Sequence, residues 1–253
     1  KLNLGFYIAW AVAALMALLF LPVVFGVKEP RRLPGVVKHQ RYSFAEYWRG
    51  LTDDPQVLRY FLAMFILTAG ISAITPFIAI YAVKALHFSD DAAILAPLVI
   101  LLSTALFVWP FGALADRVGL KRTFTIGIVL MATAAIAGIF VRDHTVFYAV
   151  LALAGVGNAA QISAAYPMLT RIANPDQMGL YTGILYGVTS IVGPGMGVIA
   201  GVLLDRFGAQ ALFPLVAALF CASLIPLAFL QLEKSKAAIA LAELKARQAQ
   251  AAA

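Results

Sequence analysis

Residues 112–122 read GALADRVGLKR, a short charged segment between two apolar runs that are each long enough to cross a lipid bilayer. Gly112 and Gly119 predict a sharp turn at which a Cβ atom would clash. The basic side chains in the second half of the segment place positive charge at one end of both runs. The segment therefore predicts a tight turn between two membrane-spanning helices, and the rest of the chain can be placed relative to it.

The composition of the whole chain is that of a membrane protein. Of the 253 residues, 62% are hydrophobic and 12% are charged, whereas about 25% are charged in soluble domains. The net charge of +7 is spread over separate loops and forms no continuous basic face, so no nucleic-acid partner is predicted. Cys221 lies in an apolar run and the histidines are scattered through loops, so neither a metal site nor any other cofactor is expected.

Seven apolar runs along the chain predict seven transmembrane helices and hence an all-α membrane protein. Lys1 stands directly against the first run with no starting Met, which predicts that the sequence begins partway through a longer protein. The runs cover residues 4–27, 58–83, 91–115, 123–141, 146–170, 178–204 and 211–231.

The distribution of positive charge predicts how the protein is oriented. Of the 19 Lys and Arg residues, only Lys1, Lys84, Arg142 and Arg206 fall on the side of the membrane opposite to residues 112–122. Because positive loops stay inside, the turn and the C-terminus are expected in the cytoplasm. We therefore expect an integral, multi-pass protein of a bacterial inner or plasma membrane.

The spacing Gly-x-x-x-Asp-Arg-x-Gly-x-Lys-Arg in residues 112–122 resembles the signature loop of the major facilitator superfamily, a family of secondary transporters. The resemblance implies that this loop latches a cytoplasmic gate, with Arg171 as the ionic partner of Asp116 near the start of the sixth span. For the basic residues alone, the alternative is that any cytoplasmic loop collects them. The predicted gate comprises Gly112, Asp116, Arg117, Gly119, Lys121, Arg122 and Arg171.

The resemblance also implies a division of the chain. Its last six helices would form one major-facilitator six-helix half, and the first helix would be the last one of the other half. A Ser43–Leu51 segment that alternates aromatic and polar residues predicts an interfacial helix within the linker. The predicted segments are the first helix at 1–27, the cytoplasmic linker at 28–56, the six-helix half at 57–232 and a cytoplasmic tail at 233–253.

A second copy of the turn lies further along the chain. Residues 201–208 read GVLLDRFG and repeat the Gly-x-Leu-x-Asp-Arg-x-Gly pattern of residues 112–119. Each copy ends the middle helix of a group of three spans, as inverted 3+3 repeats in one transporter half would require. Chance similarity between two short glycine-rich turns is the alternative.

Polar side chains inside the spans are candidates for a solute path. The second span carries hydroxyls at positions i, i+4 and i+7, which share one helix face. Two amides of the fifth span lie near the middle of the bilayer, where they face a cavity or bond to a neighbouring helix. The candidates are Thr68, Ser72, Thr75, Asn158, Gln161, Tyr166, Tyr186 and Thr189.

Glycines recur at four-residue spacing in the sixth span, which predicts that a neighbouring helix approaches it closely. The Gly-Pro-Gly at residues 193–195 removes a backbone donor and predicts a bend. The residues assigned to flexing and packing are Gly183, Gly187, Gly193, Pro194 and Gly197.

The predicted function is secondary active transport of a small solute by alternating access. The chain would work in a lipid bilayer together with the missing half of the same protein, with or without a coupling ion. It carries no nucleophile beside a His and an acid, so it is not predicted to be an enzyme. The alternative is a non-transporting seven-helix scaffold or receptor-like protein, and an intramembrane enzyme is a third hypothesis.

Overall fold

A computed structural model describes residues 43–173 and 177–235, together with residues 10, 14, 17, 18, 21 and 239. By its internal contacts the chain divides into Lys1–Arg41 and Tyr42–Ala253. Most of the first predicted span, the first part of the predicted linker and most of the predicted tail lie outside the described residues.

The described part of this unit consists of helices joined by short connections. Three 3₁₀ turns, at Thr75–Phe77, Ala209–Ala211 and Leu232–Lys234, accompany them. The α-helices are α1 (Phe44–Thr52), α2 (Pro55–Ile74), α3 (Ile78–Leu86), α4 (Asp90–Val118), α5 (Leu120–Phe140), α6 (His144–Ile172), α7 (Met178–Phe207) and α8 (Leu212–Ala228).

Six helical segments in the described residues are long and apolar enough to cross a membrane. The first of them combines α2, α3 and the turn between them, and the others correspond to α4, α5, α6, α7 and α8. They match six of the seven predicted spans, with ends that differ by a few residues. Long apolar runs fix the existence of such helices, while capping side chains define the starts of α2, α4 and α6.

Two aspartates define helix starts. The Asp54 carboxylate accepts a 2.8 Å hydrogen bond from the Gln56 amide, and Pro55 occupies the first position of α2, where its missing N–H is harmless. The Asp143 carboxylate accepts from the Val146 amide at 3.2 Å and the Thr145 amide at 2.8 Å. Both bonds hold the pKa of Asp143 below its usual value, and the bond from Val146 has the larger effect.

Proline breaks the second predicted span and leaves the sixth span helical. The helix is interrupted at Thr75–Phe77, where the Thr75 hydroxyl donates a 2.7 Å bond to the Ile71 carbonyl beside Pro76. Such back-bonding bends helices, and it coincides here with the donor that proline lacks. Helix α7 runs through Pro194 without interruption, so the bend expected at residues 193–195 stays a prediction.

The six spans form two groups of three, α2–α5 and α6–α8, and they pack in an exchanged pattern, in which each span lies mainly against spans of the other group. The middle helix of the first group, α4, packs on α6, the first helix of the second group. The middle helix of the second group, α7, packs on α2, the first helix of the first group. The two third helices, α5 and α8, pack on α6 and on α2 respectively, and on each other. Each group therefore buries itself mainly against the other group.

Close backbone contact holds α5 against α6. A Cβ atom on Gly127 would come within 2.7 Å of the Gly157 carbonyl oxygen, and one on Gly157 within 2.7 Å of the Met131 side chain. Small residues at such crossings let two membrane helices pack closely. Nearby, the buried Tyr60 hydroxyl donates a 2.9 Å bond to the Ala165 carbonyl, which ties α2 to α6.

Helices α4 and α7 are much less buried than the other four spans. Only 11% of the most apolar stretch of each is buried, against 44% or 50% in the others. Large apolar side chains such as Trp109 on α4 and Ile191 on α7 are 82% and 76% exposed. Both middle helices thus present long faces that no other described residue of this chain covers.

The two copies of the repeated turn have the same backbone conformation. Gly119 has φ +97° and ψ 147°, and Gly208 has φ +82° and ψ 167°. In each copy the glycine N–H donates a 3.0 Å bond to the carbonyl four residues earlier, on Ala115 and on Leu204. A residue with a Cβ rarely adopts this region, so both positions require glycine.

The predicted role of Gly112 in the turn is wrong. Gly112 lies inside α4, and only Gly119 separates α4 from α5. A Cβ atom at either glycine would meet no heavy atom within 4 Å. The turn therefore depends on the positive φ of Gly119 and not on a lack of space.

We predict that Gly119→Ala lowers the free energy of unfolding by about 1–3 kcal/mol, because alanine is strained at a positive φ with an extended ψ. The matched control is Gly112→Ala, which should be neutral or stabilising by up to about 1 kcal/mol, since it improves a helix interior. Thermal unfolding in detergent, followed by circular dichroism, measures both. Equal effects at the two positions would contradict this account of the turn.

Candidate functional site

The predicted gate residues gather at one end of the helical unit. Asp116 and Arg117 lie in the last turn of α4, Lys121 and Arg122 in the first turn of α5, and Arg171 in the last turn of α6. Helix α5 runs antiparallel to both α4 and α6, so the C-terminal ends of α4 and α6 lie on the same side of the unit. The chain thus brings these five charged side chains to one face.

The carboxylate of Asp116 is exposed and unengaged within the described part of the chain. No hydrogen bond or ion pair within 4.0 Å joins it to Arg171 or to another described residue. Helix α7, whose start was expected near Asp116, packs mainly on α2. The ion pair between Asp116 and Arg171 therefore stays a prediction.

Lys121 has a different neighbour from the rest of the predicted gate. Its ammonium donates to the Ala228 carbonyl at 2.9 Å and to the Leu230 carbonyl at 2.7 Å. Ala228 is the last residue of α8 and Leu230 follows it, at a helix end that leaves acceptors unpaired and favours a cation. Lys121 thus caps the last span.

Two residues that the sequence did not single out complete this cap. The Arg59 guanidinium donates a 3.0 Å bond to the Phe229 carbonyl, and the Gln56 side-chain oxygen accepts a 2.8 Å bond from the Gln231 amide. Together with Lys121, they bind four consecutive residues, 228–231, from α2 and α5. Their only sequence signal is that polar side chains stand at the start of an apolar run.

A polar seam joins α4 to α6. The Thr104 hydroxyl donates to the Gly155 carbonyl at 3.0 Å and accepts from the Asn158 amide at 3.3 Å. The Ser163 hydroxyl lies 3.0 Å from the Val108 carbonyl on α4. This bond is the helix-to-helix role left open for Asn158, and its place in a solute path stays a prediction.

Gln161 has no such partner. It is only 6% exposed, yet its side-chain amide makes no hydrogen bond within the described residues. The amide atoms are not completely enclosed, because among the described residues only the Tyr81 hydroxyl is both fully enclosed and without a hydrogen-bond partner. A buried amide in this state needs water or a solute to bond with. Tyr166, on the same helix, is 48% exposed.

The hydroxyl stripe of α2 is only partly shared with α7. Ser72 lies next to α7, since a Cβ atom on Gly193 would come 3.9 Å from the Ser72 hydroxyl. Thr68 is half-buried. Thr75 is exposed and bonds to its own helix at Ile71, so its hydroxyl is already partly satisfied.

The remaining path and packing candidates lie on α7. Tyr186 is 66% exposed, and the Thr189 hydroxyl donates to its carbonyl at 2.8 Å. Cβ atoms on Gly187 and Gly197 would meet nothing within 4 Å, and Gly183 is exposed. Unlike Gly127 and Gly157, Gly187 and Gly197 therefore have no neighbour in the described chain.

The described residues contain no cluster of three or more His, Cys, Asp or Glu side chains that could hold a metal ion. The site consists instead of charged helix ends, hydroxyls and amides on apolar helices. Such groups can bind a solute by hydrogen bonds and can shift between partners as helices move.

The fold and these groups define a multi-pass membrane protein with polar groups along its spans. The family model of the Major Facilitator Superfamily matches residues 60–251, and the chain belongs to this superfamily of membrane transporters. Transporters of this kind work in a lipid bilayer on small solutes and are not enzymes. Comparison with curated proteins gives no match.

We predict that Lys121→Met loosens the end of α8, because two charge-assisted bonds are lost. The free energy of unfolding should fall by about 1–2 kcal/mol, and amide exchange at residues 228–232 should accelerate. Arg122→Met is the matched control, since Arg122 is exposed and has no described bonding partner. Unchanged exchange in Lys121→Met, or equal acceleration in the control, would contradict the cap.

Proposed function

We propose that residues 57–232 form the C-terminal half of a secondary active transporter that moves a small solute by alternating access. The preceding helix and the linker would connect this half to an N-terminal half of the same protein. The turn at residues 112–122 and the C-terminus would lie in the cytoplasm, in a bacterial inner or plasma membrane. A coupling ion is compatible with this assignment.

The observation that carries the proposal is the unequal burial of the six spans. Four helices form the packed unit, while α4 and α7 are each only 11% buried over their most apolar stretch. Open space beside Gly187, Gly195 and Gly197 suits a second helix that approaches closely. In this proposal, the two exposed faces of α4 and α7 meet the other half across a moving interface.

The exchanged packing supports an inverted 3+3 repeat. The contact of α4 with α6 corresponds to the contact of α7 with α2, and the two third helices, α5 and α8, contact each other. The shared backbone of Gly119 and Gly208 adds a second, independent likeness between the groups. An upside-down duplication would give a carrier two related gates, one on each side of the membrane.

The solute path in this proposal runs between α2, α6 and α7. Gln161 offers a buried amide without a described partner, and Tyr186 and Ser72 add hydroxyls. These groups bond to a neutral, sugar-like or amphipathic solute and supply no buried charge.

The gate in this proposal uses Asp116 and Arg171. Asp116 is exposed and unengaged in the described structure, so its carboxylate is available to a partner in another state or in the other half. When the ion pair forms, it closes the cytoplasmic side and favours the outward-facing state. Lys121 and its cap on α8 would keep the turn in place while this happens.

The proposal can be tested without knowing the solute. In the full-length protein, with Cys221 replaced by Ser, a cysteine at Tyr186 should react with a membrane-impermeant maleimide added from either side of sealed vesicles. Alternating access exposes the path to each side in turn. Reaction from one side only is the result expected of a seven-helix scaffold, and it would refute transport by this path.

Asp116→Asn provides the companion measurement for the gate. Loss of the carboxylate should raise labelling of the cysteine at position 186 from the cytoplasmic side by about threefold to tenfold, since a lost ion pair is worth about 1 kcal/mol. Asp53→Asn, an exposed acid outside the turn, is the control. An unchanged labelling ratio would remove Asp116 from the gate.

A further inference from the structure

A cavity of about 420 Å³ lies at the end of the unit opposite to the 112–122 turn. One wall is the end of α3, with Lys84, and the other is the end of α7, with Asp205 and Phe207, and the following turn, with Gln210. The end of α3 lies next to the N-terminal end of α4, and the 112–122 turn lies at the C-terminal end of α4. The two features are therefore at opposite ends of the same helix. The cavity therefore belongs to the face that carries the second copy of the turn.

Opposite charges face this cavity without pairing. Lys84 and Asp205 both line it and are both exposed, and neither makes an ion pair within 4.0 Å in the described part of the chain. A cation and an anion on separate walls present one binding point for each sign. A ligand that carries both charges a short distance apart is complementary to them.

The cavity also lies at the depth of the lipid headgroups. The span Pro55–Leu86 ends just after Lys84, the span Met178–Phe207 ends just after Asp205, and the span Ala209–Ala228 begins beside the cavity. Span ends mark the boundary between hydrocarbon and headgroups. Phe207, at the rim, is 72% exposed, as aromatic side chains at this boundary often are.

We propose that this cavity binds the headgroup of a zwitterionic phospholipid with a primary amine, that is, a phosphodiester joined to an ammonium group. The Lys84 ammonium pairs with the phosphodiester, and the Asp205 carboxylate accepts hydrogen bonds from the lipid ammonium. A quaternary amine has no N–H to donate, so a phosphoethanolamine headgroup binds more tightly than a phosphocholine headgroup. The binding goes beyond the proposed transport and does not depend on it.

Native mass spectrometry of the delipidated 253-residue chain in detergent tests the proposal. The probes are phosphatidylethanolamine, phosphatidylcholine and phosphatidylglycerol with the same acyl chains, added singly. The chain should retain phosphatidylethanolamine about tenfold better than phosphatidylcholine, the effect of one charge-assisted hydrogen bond. Soluble glycerophosphoethanolamine at the same concentration should not compete, because it lacks the acyl chains that hold a lipid at this depth.

Each variant has its own signature. Asp205→Asn should reduce retention of phosphatidylethanolamine to the phosphatidylcholine level, leave phosphatidylcholine unchanged, and increase retention of anionic phosphatidylglycerol. Lys84→Met should weaken all three lipids, since all contain the phosphodiester. Asp53→Asn, an exposed acid elsewhere, should change none of them. Circular dichroism verifies that each variant keeps its helices.

Equal retention of the two zwitterionic lipids by the unmodified chain would overturn the proposal. So would a preference for phosphatidylethanolamine that survives Asp205→Asn. Competition by the soluble headgroup at equal concentration would overturn the assignment of the cavity to a membrane lipid. None of these outcomes depends on transport, so a failure here leaves the proposed function untouched.

Discussion

The exchanged packing of the two helix groups is the constraint on which the rest of the structure depends. Because α4 is held by α6 and α7 by α2, each middle helix is supported along one side only. Backbone contact at Gly127 and Gly157 fixes the rigid part of the unit, and the opposite faces of α4 and α7 stay bare. A rigid core with two exposed helix faces suits a carrier whose halves move as rigid bodies. The core keeps its shape during the motion, and the exposed faces of α4 and α7 are available to contact the other half.

The two glycine turns place chemically similar groups at opposite ends of this body. At one end, the turn at Gly119 presents Asp116 and Arg117, and the neighbouring Lys121 caps α8. At the other end, the turn at Gly208 presents Asp205 beside the cavity. One local motif thus serves a cap and a proposed gate on one face, and a proposed lipid site on the other.

Much of this arrangement could be predicted from the sequence, because its causes are local. Long apolar runs predict spans, Asp54 before Pro55 predicts a helix start, and the repeat at residues 201–208 predicts a second turn. What the sequence could not supply depends on distant partners. The bonds from Lys121 to Ala228 and from Asn158 to Thr104 join residues far apart in the chain. The helical placement of Gly112 and the break at Pro76 follow from which backbone bonds form nearby, and spacing alone does not determine this.

The central claim is that the bare face of α7 receives a helix from the other half of the carrier. Gly187→Leu tests it most directly, with Ala218→Leu on the exposed side of α8 as the control. Gly187→Leu should leave the melting temperature of the 253-residue chain unchanged, since the site is open. In the full-length protein the same change should cost about 1–3 kcal/mol by overpacking, while Ala218→Leu should be neutral in both. An equal effect of Gly187→Leu on the two proteins, or no effect on the full-length protein, would contradict the claim.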